Sequence, residues 1–233
     1  MHGRLEITEE ARRLQKQAHT LHPTTLQVLE SMYTEDKLQG TESARPLVID
    51  RAVRVCVAQG ALLHRLLQRL GAKRCLEIGF AYGFSTVWIL DALRLQDGSE
   101  HIAVDPFEKT GWHGIGLAQV ERLSFEKRFK WVSDYSIHVL SDLIRNKERF
   151  DFIYIDGNHR FDDVLVDFYL SDQVLRVGGL IVLDDMWMDS VKRVASFIFH
   201  NRAYELGETK VPNVSVFQKI RDDDREWIHY VNF

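Results

Sequence analysis

The sequence predicts an α/β architecture: a seven-stranded, mostly parallel sheet with helices on both faces, preceded by helices at the N-terminus. Three observations predict it. Short apolar runs alternate with amphipathic helical stretches from residue 73 to residue 220. A glycine-punctuated turn, Glu77-Ile78-Gly79 followed by Gly83, joins the first of these runs directly to a helix. No repeat, low-complexity tract or linker interrupts residues 71 to 220, so this stretch reads as one domain.

The N-terminal segment comes first. Residues 1 to 22 are polar and read as a loosely held arm with a helix near Thr8 to Ala18. Pro23 suits a helix start, and Leu26, Leu29, Met32 and Tyr33 recur at helical spacing until Gly40. After Pro46 a second pattern, Val48, Ala52, Val55, Leu62, Leu63, Leu66, Leu67 and Leu70, runs to a terminating Gly71. Two amphipathic helices cannot bury their stripes alone. Residues 1–70 are therefore expected to pack on the core, to cap the ligand cleft or to pair two copies as a homodimer, with residues 71–233 as the core.

The core then alternates. After the unit at 73–91 come a strand at His101 to Asp105, a helix at Gly116 to Arg128, a strand at Phe129 to Ser133, a helix at Ile137 to Lys147 and a strand at Phe150 to Asp156. A helix at Phe161 to Arg176, a strand at Gly179 to Asp184, a helix at Asp189 to Asn201 and strands near Tyr204 to Glu208 and Val214 to Ile220 complete it. Asp222-Asp223-Asp224-Arg225 reads as a solvated turn, and the aromatic tail Trp227, Tyr230 and Phe233 as a segment packed on an edge or on a partner chain.

Composition excludes several classes of function. With 45% hydrophobic and 27% charged residues among 233, the chain is an ordinary globular protein. A net charge of −4 concentrates no basic face for nucleic acid, which leaves a small-molecule partner. No apolar run approaches the ~20 residues that span a bilayer, and Met1-His2-Gly3-Arg4-Leu5-Glu6 lacks the apolar centre of a signal peptide. A cytoplasmic protein without membrane association is expected. Cys56 and Cys75 sit in apolar patterns and read as packing residues.

The turn at 77–86 is the chemical centre. Glycines there permit positive φ and close approach of a ligand to the backbone. A dinucleotide fingerprint G-x-G-x-x-G would place glycines where Ala81 and Phe84 stand. A pyrophosphate would also meet the Glu77 charge, so the acid favours a ligand whose nearest group is cationic or a donor. Three predicted strands end in carboxylates: Asp105, Asp156, and the pair Asp184-Asp185. Asp105 lies 22 residues after Gly83, a spacing that suits an acid binding ribose hydroxyls. Asp156, Asp184 and Asp185 on neighbouring strand ends would make an oxygen site for a hard cation such as Mg²⁺, whereas separate turns and caps are the alternative.

E-x-G-x-x-x-G-x-S-T after a strand resembles the first motif of the class I S-adenosylmethionine-dependent methyltransferases, which have a Rossmann-like fold. The resemblance implies that the turn, with Glu77, Gly79, Phe80, Ala81, Tyr82, Gly83 and Ser85, holds the aminocarboxypropyl end of S-adenosylmethionine. It implies further that Asp105 and Pro106 meet the ribose, that Asp134, Tyr135 and Ser136 meet adenine, and that Asp156 borders the cofactor. Ile155-Asp156-Gly157-Asn158-His159 resembles the motif of metal-dependent catechol and caffeoyl-CoA O-methyltransferases, in which the aspartate ligates the metal and a lysine three residues on is the base. Here that position holds His159. Asp184-Asp185 resembles the macrolide-sugar variant of the family's Asp-Asn pair, and Ala58-Gln59-Gly60-Ala61-Leu62 resembles the caffeoyl-CoA type.

Together these segments cover roughly residues 46 to 220. They imply a Mg²⁺-dependent O-methyltransferase for a small hydroxylated molecule, aromatic or sugar, with Asp156 and His159 catalytic and Asp156, Asp184 and Asp185 on the metal. A metal-independent enzyme using His159 as base is the alternative. The missing dinucleotide fingerprint disfavours a nicotinamide oxidoreductase, and the clustered acids disfavour a passive cofactor binder. Tyr33, Trp112, His113, Trp187 and Met188 are candidate walls for the acceptor.

Overall fold

The structure, a computed structural model, describes residues 2–123 and 126–233. Helices α1 (His2–Gln17) and α2 (Pro23–Thr34) lead into two short antiparallel strands, β1 (Lys37–Leu38) and β2 (Leu47–Val48), and then helix α3 (Val57–Leu70). The core follows as β3 (Arg74–Ile78), α4 (Phe84–Leu93), β4 (Glu100–Val104), α5 (Ile115–Glu121), β5 (Phe129–Val132), α6 (Ser136–Arg145) and β6 (Phe150–Ile155). It ends with α7 (Phe161–Val174), β7 (Leu175–Leu183), α8 (Asp189–Asn201), β8 (Tyr204–Gly207) and β9 (Ser215–Lys219).

The seven core strands lie in the order β5-β4-β3-β6-β7-β9-β8, and only β9 runs antiparallel to its neighbours. This is the Rossmann-like, mostly parallel sheet expected from the alternation. From β3 the chain builds outward to β4 and β5, then crosses to β6 on the other side of β3. The connections that leave the carboxyl ends of β3 and β6 therefore part and open a crevice, the place where open α/β sheets bind ligands. Burial on both faces explains the apolar run that ends β6 after Asp151, in which Phe152, Ile153 and Tyr154 are fully buried.

The N-terminal segment departs from expectation. It is no loose arm: α1 and α2 lie side by side, with Leu14 and Leu21 buried, and Glu10, itself buried, accepts a 2.7 Å hydrogen bond from Val57 N at the start of α3. A charged acceptor at orphan helix N–H groups fixes α1 where the sequence shows little periodicity. Helix α3 starts at Val57, well after the predicted stripe begins. Asp50 caps a separate turn of 3₁₀ helix over Arg51–Val53, and Gln59 accepts from Cys56 N at 2.9 Å to define the true helix start.

Gly60 lets α3 pack directly on α4, since a Cβ there would lie 2.2 Å from Trp88 Nε1. That indole donates to Tyr33 Oη at 3.1 Å, and Tyr33 donates to Val55 O at 2.9 Å. The apolar stripes of α2 and α3 are thus covered within the chain. Pairing of two copies loses their support as an argument.

At the other end, the charge run at 222–224 is exposed as expected, yet two of its acids also pair with buried cations. Asp222 pairs with buried Lys219 at 2.8 Å and Asp223 with buried Arg202 at 3.2 Å. Asn201 makes two 2.9 Å bonds to the backbone of Val231, so the tail is strapped along α8. No described helix is long and apolar enough to cross a membrane.

Candidate active site

A cleft of ≈ 1020 Å³ opens at the carboxyl ends of β3, β4, β6 and β7. Its floor is the glycine turn. Gly79 has φ +91 and its missing Cβ would lie 2.0 Å from the carbonyl oxygen of Asp156, so only glycine lets β3 and β6 end this close together. Ala81 holds φ +45, a left-handed conformation that the surroundings must impose. Asp105 imposes it. Its Oδ2 accepts from Phe80 N at 3.1 Å and Ala81 N at 3.0 Å, while its Oδ1 accepts from Phe107 N at 2.7 Å. The acid at the end of β4 thus braces the turn as well as lining the cleft, and a carboxylate with about four acceptor sites keeps little capacity beyond these bonds.

Several predicted residues take different places. Glu77 is fully buried beneath the turn and does not line the cleft. Its carboxylate accepts from Ser85 Oγ, from Thr86 Oγ1 at 2.5 Å and lies 2.8 Å from His101 Nε2. The acid therefore ties the first turn of α4 to the sheet; it does not face a ligand cation. Asp134 points outward, 2.9 Å from His138 Nδ1, and is absent from the cleft wall, whereas Tyr135 and Ser136 line it. Gly79, Phe80, Ala81, Tyr82, Gly83, Ser85 and Pro106 all line it as expected. Of the candidate walls, Trp112, Trp187 and Met188 border the cleft, while Tyr33 is fully buried and His113 lies outside the lining.

At the β6 and β7 end the acids separate. Asp156 and Asp185 converge on His159, whose Nε2 lies 3.5 Å from Asp156 Oδ1 and 2.8 Å from Asp185 Oδ2. Their donor atoms lie within 4.8 Å of one another, close enough to share one cation. Asp184 does not join them. It is buried and accepts from Tyr154 Oη, from Gln59 Nε2 at 2.6 Å, from Asn213 Nδ2 at 3.2 Å and from Asp185 N at 2.7 Å. The expected trio of Asp156, Asp184 and Asp185 is thus replaced by Asp156, His159 and Asp185. Asp185 stands at φ +53, a turn that swings its carboxylate away from its neighbour's; Trp187 Nε1 at 2.8 Å and Asn213 Nδ2 at 3.1 Å hold it there.

The electrostatics follow from the crowding. Burial, reinforced by the Asp185 charge, pushes Asp156 up to about 6, and burial with the Asp156 charge lifts Asp184 to about 8. Asp156 and Asp185 together push His159 up to about 10, and His159 in turn lowers Asp185. His159 Nε2 is buried and close to both carboxylates without the alignment of a hydrogen bond, so the contact is an ion pair. Between two carboxylates His159 is a cation at neutral pH. The general-base role expected of it requires that this proton leave first, which another positive charge beside Asp156 and Asp185 would promote.

Gln59, Asn213, Tyr154 and Asp167 belong to the cleft or its support and were not singled out by sequence. Gln59 carries a local signal, a polar residue at the third position of an apolar helix; Asn213 comes from the β8–β9 connection and carries none.

Behind the turn, Glu108 is fully buried, its Oε1 accepting from Leu117 N at 3.0 Å while Oε2 has no partner. Burial raises it to about 8, above the ordinary value near 4.3. The native state thus holds a proton that the unfolded chain releases, so this group's contribution to stability is full below about pH 4 and is lost as pH rises through about 8. Glu108→Gln is expected to match the wild-type unfolding free energy at pH 4 and to exceed it at pH 9 by about 1–3 kcal/mol, read from urea titrations. Equal free energies at pH 9 would contradict this.

Residues 76–186 match the family model described as a methyltransferase domain. Over this stretch the chain is similar to methyltransferase domains. Among similar sequences, a flavonoid 3',5'-methyltransferase of Vitis vinifera is 29% identical over 143 residues, covering 60% of this chain and 58% of that protein. A caffeoyl-CoA O-methyltransferase of Pinus taeda is 31% identical over 137 residues, covering 57% and 51%. The chain thus spans little more than half the length of these relatives. In structure, an O-methyltransferase of Bacillus cereus in complex with S-adenosylhomocysteine superposes with a TM-score of 0.67 at 20% identity, covering 91% of this chain and 100% of that one. TomG of Streptomyces achromogenes, an O-methyltransferase in complex with S-adenosylmethionine, gives 0.62 at 18% identity, with 72% and 82% covered. The methyltransferase fold extends on both sides of the matched segment.

Proposed function

We propose that this methyltransferase domain moves the methyl group of S-adenosylmethionine to a hydroxyl oxygen of a small molecule. One observation carries the reading: a single cleft joins the glycine turn and Asp105 to the Asp156, His159 and Asp185 cluster. The sulfonium methyl is already activated. The chain has to align an acceptor oxygen with it and lower the cost of removing the hydroxyl proton. The relatives named for flavonoid and caffeoyl-CoA methylation support a hydroxylated, planar acceptor, and Trp187 and Met188 at the cleft offer apolar surface for one. Residues 52–55 and Gln59 form part of the cleft wall, which supports a capping role for residues 1–70 over the core at 71–233.

The cluster fits a divalent cation such as Mg²⁺. The two carboxylates suit such a hard ion, the imidazole is a donor more usual for a transition metal such as Zn²⁺ or Fe²⁺, and the unaligned, buried Nε2 of His159 lacks a directed partner of its own. Asp156, Asp185 and His159 would hold the ion, which would supply positive charge beside the acceptor oxygen and acidify its hydroxyl. Asp184 would position the set through Gln59, Tyr154 and Asn213. A second reading needs no metal: His159, oriented by Asp156 and Asp185 and having released its own proton to solvent, takes the acceptor's hydroxyl proton as general base.

Transfer of labelled methyl to a panel of catechols, caffeoyl esters and hydroxylated sugars, with and without chelator, tests both. Loss of transfer on chelation and its recovery with Mg²⁺ is the expected result. Transfer that survives exhaustive chelation selects the second reading, and a protein that binds neither S-adenosylmethionine nor S-adenosylhomocysteine has another function.

A further inference from the structure

The cleft has two ends, and the proposed chemistry occupies the one at β6 and β7. The nucleoside of the cofactor then lies toward β4 and β5, where Asp105, Phe107, Tyr135 and Ser136 line the wall. The carboxylate that sequence places there, Asp134, is turned to solvent and held by Tyr135 N at 2.7 Å and by His138. A different acid faces the cleft at that end. Asp167, on α7, lines the cleft and is 4% exposed. Ser136, at the start of α6, hydrogen-bonds to it, and its Oδ2 lies 3.7 Å from where a Cβ on Gly157 would stand, at the end of β6.

A buried carboxylate with so few donors is costly to ionise, and burial together with the Asp163 charge raises Asp167 to about 6. A ligand edge carrying N–H groups would supply what the protein does not. Adenine has such an edge in its exocyclic amino group; flavonoid or sugar hydroxyls belong at the other end of the cleft, beside the ion cluster.

We propose that Asp167, positioned by Ser136, accepts a hydrogen bond from the exocyclic amino group of the cofactor's adenine and so selects adenine over bases that carry a carbonyl there. The assignment rests on the S-adenosylmethionine reading given above. It makes Asp167 a specificity-determining residue remote from the reacting atoms, and it moves the acidic contact from the β5 loop to helix α7.

Calorimetric titration with S-adenosylhomocysteine and with its hypoxanthine analogue, S-inosylhomocysteine, tests it without reference to turnover. The wild type is expected to bind the adenine form about tenfold or more tightly, because the analogue sets a carbonyl against a carboxylate. Asp167→Asn can turn its amide toward that carbonyl and is expected to bring the two affinities within about threefold. Should that variant fail to fold, Ser136→Ala, which frees Asp167 without changing its charge, is expected to narrow the same ratio. A ratio unchanged in the soluble variants overturns the assignment while leaving the cofactor reading intact. A wild type that binds neither ligand overturns the cofactor reading itself.

Discussion

Gly79→Ala is expected to destabilise the protein by about 4 kcal/mol or more and to abolish cofactor binding. Two costs add at this position. The backbone stands at φ +91, where a side chain is strained by about 1–3 kcal/mol, and the new Cβ would lie 2.0 Å from the carbonyl oxygen of Asp156. That oxygen belongs to the main chain at the end of β6 and cannot rotate away as a side chain would. Relief requires β3 and β6 to part, which opens the crevice and moves Asp156. Gly83→Ala is the control. It shares the positive φ, at +77, but its Cβ would meet Gly116 Cα and Phe80 Cε2 at 3.1 Å, so a loss of about 1–2 kcal/mol is expected. Urea midpoints measured in parallel decide the matter, and equal losses in the two variants would show that main-chain crowding at Gly79 is not the dominant cost.

Asp185→Asn is expected to lower methyl transfer by about 10²- to 10⁴-fold with the affinity for S-adenosylhomocysteine within about twofold of wild type. Asparagine tolerates the left-handed backbone at φ +53 and preserves an oxygen for Trp187 and Asn213, so the change isolates the charge. Loss of that charge removes the nearer of the two carboxylates beside His159 and leaves the cluster one anion short for a cation. Cofactor affinity falling in step with the rate would place Asp185 on the adenosine and refute the division of the cleft into two ends. Asp184→Asn should behave differently: Asp184 accepts from four donors, so its amide sets one N–H against them, and the loss should register in stability as well as rate.

Much of this fold was legible because its signals are local. The glycine turn, the strand-helix alternation and the strand-end acids are written in consecutive residues, and Gly71, Asp105, Asp156 and His159 fall where spacing puts them. The misreadings share a cause: they concern partners distant in sequence. Nothing near Glu77 says that Ser85, Thr86 and His101 will enclose it and remove it from the cleft. Adjacent acids on a strand end point to opposite sides, but which of Asp184 and Asp185 turns toward His159 depends on Gln59 and Asn213, from α3 and from the connection before β9. The N-terminal arm looked loose because its fixing contact is a single buried acid, Glu10, on the start of a helix 47 residues away.

The position of β9 bears on how the chain assembles as it is synthesised. Strands β3 to β7 can pair in the order they emerge, but β9, made after β8, sits between β7 and β8 and is the neighbour of β8 among the described strands. Until residues 215–219 leave the ribosome, one edge of β7 presents unpaired backbone along Leu180 to Leu183, and Lys219 has yet to reach the carbonyls of Asp172 and Leu175 at the end of α7. A chain halted before residue 215 would therefore hold a half-built sheet with an unpaired apolar border, which the insertion of β9 closes.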